Sequence, residues 1–474
     1  MAMRLSDLWA GHLKRPTVTA QDRGRVQGQG KTRREGEPVR RHGRSAASSD
    51  HVPRVTKTAE PSRAAKAKAS QRSTASRSSK ASQTPARPAV SYQGIRALLN
   101  PLWCYYGFIT AVVALAVFGL MMVFSSSAVD MVAQGQSPWT QAIRQTGFCM
   151  GGFAVAAVAL RLPADKYRSI SFGILGFGLF LQLLTFTPLG RAAGGNAGWI
   201  FIGGFSLQPA EVLKLALCVW MPGSLLDAGE HSRQGEGLKA YRKPAAGFAV
   251  SFILIMMGKD LGTAMIVVII GLVAFFLSGF PLKWFLSAAV AGLAGIIGFF
   301  VLGHGNRMQR IMAAYGKCSS DDLQGVCYQS VHGLYAMASG GLTGVGLGNS
   351  REKWNYLPEA HNDFIFAVIG EEMGFIGAVL VILAFVVVGW CMLRVALTTP
   401  DSYARMVLVC LASWIVGQAL INICVVLGLL PVMGLPLPFV SAGGTALVLC
   451  LAAAGVAVPM MRTHPDIKAA SAHI

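Results

Sequence analysis

The chain has 474 residues, of which 53% are hydrophobic and only 14% charged, with a formal net charge of +20 at pH 7. That charged fraction is about half of what a soluble globular protein carries. Apolar runs of about 20 residues recur, and each is long enough to cross a bilayer core of about 30 Å. A soluble protein is therefore excluded, as is a β-barrel, which needs short alternating segments. The fold class that we predict is an all-α polytopic membrane protein with about ten transmembrane helices.

The N-terminal segment, residues 1–96, is strongly basic, with 21 Lys and Arg against 6 Asp and Glu. It is rich in Ser, Ala, Gln, Gly, Arg and Pro, so it is predicted to be a disordered tail. A basic segment before the first span is expected to stay in the cytoplasm. Two roles stay open: a topology anchor held near anionic lipid, which we favour, and a docking arm for an acidic partner. No motif supports nucleic-acid binding.

Ten predicted spans make up most of a transmembrane domain over residues 97–462, followed by a short cytoplasmic tail, 463–474. An even number of crossings places both termini in the cytoplasm and leaves basic residues in every inside loop, as the positive-inside rule requires. A large extracytoplasmic loop, 304–362, joins spans 7 and 8. The spans lie near residues 103–124, 145–162, 170–189, 208–226, 244–258, 262–280, 284–303, 364–393, 406–429 and 444–461.

Two outward segments combine charge with helix-start signals. Glu211 and Lys214 follow Pro209 at i, i+3, so they share one helix face and can pair; we favour a structural ion pair over direct chemistry. Asp260 stands in a sharp turn before the sixth span. Capping of that helix is its expected role, and ligand contact is the alternative.

The large loop keeps basic residues on the outside, which indicates an anionic ligand. The alternative is that long loops translocate largely regardless of their charge. Five glycines between positions 340 and 348 allow tight turns or close approach to a ligand. The basic residues that we consider as ligand contacts are Arg307, Arg310, Arg351 and Lys353.

The loop ends in Pro358-Glu-Ala-His-Asn-Asp363, directly before a long apolar run. An ionisable group at a membrane surface is costly and is by default a functional candidate. The helix dipole favours a carboxylate at this position, so Asp363 is expected to be ionised at neutral pH. Capping by Asp363, or by Asn362, is the alternative. Glu359 and His361 are candidate substrate contacts in the same motif.

The segment Leu430 to Gly444 contains three prolines and cannot continue a helix. Irregular backbone at membrane depth persists only where it packs in protein or lines a cavity. A re-entrant segment that shapes the site is therefore predicted, with Pro438, Ser441, Gly443 and Gly444 as its site-shaping residues.

These motifs resemble the SEDS family, the FtsW and RodA peptidoglycan polymerases, over about residues 100–462. Gln-Pro-Ala-Glu211 resembles the family's Gln-Pro-Ser-Glu, and Asp-Leu-Gly-Thr263 matches. Leu-Pro-Glu-Ala-His-Asn-Asp-Phe-Ile-Phe366 matches closely, and Pro-Phe-Val-Ser-Ala-Gly-Gly444 resembles the family's Pro-Phe-Ser-Tyr-Gly-Gly. The Ile-Gly-Glu-Glu372 that follows is more like FtsW, the division member. The Arg that usually precedes the loop tryptophan is absent, although Trp199 is kept as a candidate substrate contact.

The resemblance implies a glycosyltransferase of the bacterial plasma membrane, at the division septum, that polymerises lipid II outside the membrane. The family's essential acid falls on Asp363, which would act as general base while undecaprenyl pyrophosphate leaves. A divalent cation, Mg²⁺ or Mn²⁺, is a candidate to share the stabilisation of the diphosphate, although no ligand cluster is visible. A class B penicillin-binding protein transpeptidase and other divisome proteins are the implied partners. A lipid II flippase and a non-catalytic divisome scaffold are the alternative functions.

Seven of the nine cysteines lie in apolar runs, where Cys behaves as a small hydrophobe. Cys318 and Cys327 instead share the polar loop, and we predict a disulfide between them on the outside face. The alternative is two free thiols packed against the membrane surface.

Overall fold

The computed structural model describes residues 94–193, 196–202, 205–303, 326–354 and 356–471. Within those ranges it has twelve α-helices, some short 3-10 and π turns, and one small antiparallel sheet. The helices are α1 (Pro101–Ala133), α2 (Thr140–Ala159), α3 (Ala164–Leu184), α4 (Pro209–His231), α5 (Arg242–Met257), α6 (Leu261–Leu277), α7 (Leu282–Gly303), α8 (Val326–Ser339), α9 (Ile365–Thr398), α10 (Ser402–Val426), α11 (Gly444–Met461) and α12 (Pro465–Ser471). The strands are β1 (Gly190–Ala193), β2 (Asn196–Ile202) and β3 (Phe205–Leu207).

Local sequence signals fix where several helices begin. The side chain of Asn100 accepts from the N–H of Leu102 (3.0 Å) at the start of α1, and Pro101 needs no partner for its nitrogen. Asp260 caps α6 by accepting from the N–H of Thr263 (3.0 Å), which is the role predicted for it. Asp401 caps α10 in the same way. Such caps satisfy amide groups that the helix itself leaves unpaired.

Each of the ten predicted spans falls on one of the described helices, so the predicted fold class is confirmed. Seven helical segments in the described ranges are long and apolar enough to cross a membrane: α1, α2, α3, the continuous stretch of α4 and α5, α9, α10 and α11. The helix α6 and the first part of α7 are apolar but shorter. The chain is a multi-pass membrane protein, and the count of ten crossings stays a prediction, because it takes α4 and α5 as two crossings and adds α6 and α7.

The bundle is organised around α4, α10 and α11, whose side chains are mostly buried. The helix α10 packs against α4, α6, α9 and α11, while α1 packs against α9 and α2. The largest fully buried side chain is Trp414 of α10. The outer helices α2 and α3 leave many apolar side chains exposed, as expected where the solvent is lipid. The central position of α10 lets its polar side chains reach several elements at once.

The structure adds three elements that the sequence pattern did not predict. The helix α1 reaches Ala133, so most of the segment assigned to an outside loop after residue 124 is helical. The strands β1, β2 and β3 form the three-stranded sheet, in which Arg191 pairs with Trp199 and Phe201 with Ser206. Part of the large loop is the helix α8. All three adjoin the end of the bundle where Asp363 lies.

The helix α9 is interrupted at Gly374, which has φ 66° and ψ −165°. The break frees backbone groups, and the glycine-rich loop before α9 pairs with them. Val345 N–H donates to Glu371 O (3.0 Å), and Phe375 N–H donates to the carbonyl of Gly341 (2.9 Å). A Cβ on Gly344 or Gly374 would collide with the facing backbone. The glycines of this loop were predicted to allow tight turns or close approach to a ligand. In the structure, the loop makes its close approach to α9 of the same chain.

Candidate functional site

Asp363 lies in a loop, residues 356–364, that ends where α9 begins. The helix N-cap position is Phe364, whose side chain makes no capping hydrogen bond. Asn362 and Asp363 both precede that position, and capping of α9 by either side chain stays the alternative to a functional role for Asp363. The Asp363 side chain is half-buried, whereas Phe364 beside it is fully buried and anchors the loop in the core. A partly exposed carboxylate on an anchored backbone suits contact with a ligand.

The backbone around Asp363 is tied to the proline segment, which we define as residues 430–443. The amide nitrogen of Asn422 on α10 donates to both the carbonyl of Asp363 (2.8 Å) and that of Leu435 (2.7 Å). The hydroxyl of Ser441 donates to Asn362 O and accepts from Leu437 N–H, both at 2.7 Å. Asn422 and Ser441 therefore each link the loop to the proline segment.

The carboxylate of Asp363 faces a glycine of the proline segment. Its Oδ2 atom lies 3.5 Å from where a Cβ on Gly434 would stand. Gly434 has φ +69°, a conformation that glycine adopts without the steric penalty of other residues. The glycine therefore makes the turn that brings the proline segment beside the carboxylate.

Side-chain amides from two helices hold the rest of the proline segment. Gln418 on α10 donates to the carbonyl of Pro436 (2.8 Å), and Gln145 on α2 donates to that of Ser441 (3.0 Å). Pro438 is buried. Carbonyls without secondary structure are costly inside a membrane protein unless protein donors reach them. The segment is packed within the bundle, as the sequence pattern predicted for a site-shaping element.

The predicted ion pair of Glu211 and Lys214 is present beneath this segment. The Nζ and Oε1 atoms are 2.6 Å apart, and both side chains are at most 1% exposed. Lys214 also donates to Gln418 Oε1 (2.8 Å) and lies 5.1 Å from the ring centre of Trp414. The pair thus orients the amide that holds Pro436. Its role is structural, since it does not face an open surface.

Gly443 and Gly444 join the proline segment to α11. Gly443 is the N-cap residue of α11, and a Cβ on Gly444 would press on the ring of Phe148. One residue later, Thr445 donates its hydroxyl to the carbonyl of Ser206 in β3 (2.8 Å). This contact attaches the sheet to the site. The candidate residue Trp199 lies half-buried in β2 of that sheet.

His361 and Glu359 flank the carboxylate on the loop. The Nδ1 atom of His361 lies 3.5 Å from Asp130 Oδ2 at the end of α1. Asp130 was missed by the sequence analysis because α1 was predicted to end near residue 124. Glu359 is exposed, and its carbonyl accepts from the N–H groups of Asn362 (3.0 Å) and Phe364 (3.2 Å). Glu359 therefore shapes the turn that presents Asp363.

The structure corrects one of the predicted cationic contacts. The Nζ of Lys353 is 2.8 Å from Glu372 Oε1, with side-chain exposures of 3% and 0%. Ser125 on α1 donates to the same carboxylate at 2.7 Å. Lys353 is thus committed to a buried pair that ties the loop to α1 and α9. Of the other predicted cations, Arg351 has an exposed side chain, and Arg307 and Arg310 lie outside the described residues.

The neighbouring buried carboxylate, Glu371, was also missed by the sequence analysis. It accepts from the hydroxyl of Ser350 and from the N–H of Arg351 (2.9 Å). The adjacent acids in Ile-Gly-Glu-Glu372 were used only as a family marker. The apolar sequence around Glu371 and Glu372 was the signal that could have found them. It indicates that the carboxylates are buried, and a buried carboxylate requires polar or charged partners. Glu371 and Glu372 together hold residues 350–353 against α9.

Cys327 is buried and disulfide-bonded. Its predicted partner, Cys318, lies outside the described residues, so the pairing stays a prediction. The other seven cysteines are free thiols. Within the described ranges no group of three or more His, Cys, Asp or Glu side chains is placed to hold a metal ion. The requirement for a divalent cation also stays a prediction.

Comparison with known proteins gives a consistent set of relatives. The family described as "Cell cycle protein", which comprises FtsW, RodA and SpoVE, matches residues 106–464. Stage V sporulation protein E of Bacillus subtilis is 38% identical over 355 residues, 73% of this chain and 94% of that protein. The probable peptidoglycan glycosyltransferase FtsW of Mycobacterium tuberculosis is 34% identical over 374 residues, which cover 78% of this chain and 70% of that protein.

Two solved structures share the fold. One comes from a study of the structural coordination of polymerization and crosslinking by a peptidoglycan synthase complex. It has a TM-score of 0.62 and 23% identity, covering 76% of this chain and 98% of that one. The other is the rod shape determining protein RodA of Thermus thermophilus, with a TM-score of 0.56, 24% identity, and coverage of 76% and 97%.

Proposed function

This chain belongs to the FtsW/RodA/SpoVE family of cell cycle proteins, and from that premise we propose that it is a peptidoglycan glycosyltransferase. It polymerises lipid II at the outer surface of the plasma membrane during cell division. Relatives that are 34% identical carry the name of that activity. Both termini lie in the cytoplasm, and the protein works at the septum.

Asp363 acts as the general base. The 4-hydroxyl of the acceptor GlcNAc attacks the anomeric carbon of the growing glycan, and Asp363 accepts the hydroxyl proton. The bond from that carbon to the diphosphate oxygen breaks, undecaprenyl pyrophosphate leaves with the electron pair, and configuration inverts from α to β. General-base assistance accounts for about 10²–10⁴ in rate. The remainder comes from positioning and from stabilising the charge on the diphosphate.

One observation carries this proposal: the side chain of Asp363 is only partly buried, while the backbone carbonyls of Asn362 and Asp363 are each held by a buried side chain. A base fixed in this way loses little orientation entropy when substrate binds. Arg351 beside the loop, together with Arg307 and Arg310, would supply positive charge to the diphosphate. Trp199 would pack on a sugar or on the lipid stem.

The partner is a transpeptidase of the class B penicillin-binding proteins, with other divisome proteins around it. Support comes from the fold shared with a chain of a peptidoglycan synthase complex that polymerises and crosslinks. In such an assembly, strands made at the Asp363 site would pass directly to the crosslinking enzyme.

The test is polymerisation of purified lipid II in detergent by wild type, Asp363→Asn and Asp227→Asn. Asp227 is an exposed aspartate at the far end of α4, paired with Arg168, so it receives the same chemical change away from the site. We expect Asp363→Asn to lose at least about 10²-fold in rate and Asp227→Asn to stay near wild type.

Near-normal polymerisation by Asp363→Asn would remove this residue from the base role. A second outcome concerns the alternative functions. If wild type moves lipid II across liposomes and makes no polymer, the protein is a flippase and the proposal is wrong. If it does neither, alone and with its transpeptidase, a scaffold is the better description.

A further inference from the structure

A groove of about 440 Å³ opens at the end of the bundle opposite Asp363. It lies between the first turns of α1 and the C-terminal helix α12. Apolar side chains line most of it, and Arg462 lines it together with Ser471. The groove takes no part in the proposed reaction, because the whole length of α1 separates it from Asp130 and His361.

The polar part of the groove is built around Arg462. The Nε–H of Arg462 donates to the hydroxyl of Tyr105 (3.0 Å), and its guanidinium carbon lies 5.9 Å from the ring centre of Tyr105. These contacts orient a half-buried guanidinium, which has five N–H donors in a planar fork. A fork of this kind matches the oxygens of a phosphate.

The side chains beside the groove are of the kind found at the depth of lipid headgroups. Trp103 and Tyr106 on the first turns of α1 are 69% and 50% exposed, and such aromatic side chains collect at membrane interfaces. Further along the same face of α1, Val113 and Val117 are exposed. This face continues from the groove toward the membrane interior, so an acyl chain can lie along it.

Charge decides between the candidate occupants. On α12, the exposed Asp466 and Lys468 offset each other, which leaves the charge of Arg462 to be matched from outside. The N-terminal tail of this chain carries 21 basic against 6 acidic residues over positions 1–96, so it would repel Arg462. An anionic occupant is favoured over the tail.

We propose that this groove is a binding site for one phospholipid with an anionic headgroup. The phosphate contacts Arg462, with the hydroxyls of Tyr105 and Ser471 beside it. The acyl chains pass Leu102 and Ile109 along α1. The site holds α12 against the first turn of α1, and it is independent of the glycosyltransferase proposal.

The test uses the purified full-length chain in detergent, titrated with phosphatidylglycerol or with phosphatidylcholine of identical acyl chains. Native mass spectrometry counts the lipid molecules that each variant retains. Ala470 lines the groove on α12. Ala470→Glu places a negative charge there without touching the Arg462–Tyr105 bond, and Ala470→Gln is its size-matched control. Arg462→Gln removes the cation, and Arg161→Gln, at the same end of the bundle but outside the groove, is the matched control.

We expect one tightly retained phosphatidylglycerol in wild type, Ala470→Gln and Arg161→Gln. Arg462→Gln should lose about tenfold in affinity, because loss of one charge-assisted hydrogen bond corresponds to about that factor. Ala470→Glu should also lose about tenfold, because the added carboxylate repels the phosphate. Equal retention of both lipids by wild type would overturn the proposal. So would Ala470→Glu binding as tightly as Ala470→Gln, or removal of residues 1–90 raising the retention of both lipids, which would make the tail the occupant.

Discussion

Replacing Lys353 by methionine isolates the buried pair that the loop makes with α9. The change leaves the Glu372 carboxylate 0% exposed and without its cation, and among the described residues the Ser125 hydroxyl remains to bond it. Breaking a buried pair from one side costs about 3–5 kcal/mol, because an uncompensated charge stays buried. We expect the melting temperature of the detergent-solubilised protein to fall by on the order of 5–10 °C. Size-exclusion chromatography after graded heating measures it.

Two controls separate the charge from the loss of side-chain volume. Lys353→Met combined with Glu372→Gln removes both charges of this pair, and the amide still bonds Ser125, so most of the stability should return. Arg351→Met makes the same replacement at an exposed cation two residues away, where pairs contribute about 0–1 kcal/mol. A melting temperature of Lys353→Met within about one degree of wild type would refute the reasoning. Loss of polymerisation in the stable double variant would instead restore Lys353 as a contact of the diphosphate.

Three further outcomes are expected. Trp199→Ala should lower polymerisation, and unchanged turnover together with unchanged lipid II affinity would leave Trp199 only an interfacial anchor. Removal of residues 1–90 should leave polymerisation in detergent intact, since a segment of that composition contributes no core; an inactive truncated protein would show that the domain boundary is wrong. Cys318 and Cys327 should resist alkylation in non-reduced protein, because a short disulfide loop is stabilised by roughly 2–3 kcal/mol; labelling of both thiols would exclude the bond.

The membrane architecture could be predicted from the sequence because hydropathy and length determine where a helix crosses lipid. The position of Asp363 could also be predicted, since a carboxylate before an apolar run is conspicuous. Glu211 and Lys214 were predicted to pair because their spacing is local to one helix. In each of these cases the informative residues are close together in the sequence.

What could not be predicted depends on contacts between distant positions. Lys353 was predicted as a ligand contact because it is a basic residue of an outside loop, but its partner Glu372 lies on another element and Ser125 on a third. The helix α8 and the small sheet are short and weakly patterned. The sequence around Gly374 is apolar, so it predicts an uninterrupted helix. The break is seen in the hydrogen bonds between this part of α9 and the glycine-rich loop.

The proline segment has no regular structure of its own, and its path is set by amide and hydroxyl groups on its neighbours. Gln418 and Asn422 on α10 and Gln145 on α2 reach its carbonyls from two different helices. A chimera that received only this segment from a relative would carry the relative's sequence without the side chains that set its backbone path. An exchange between family members therefore has to include the proline segment together with those three amide side chains. Otherwise the carboxylate of Asp363 would not stay in place.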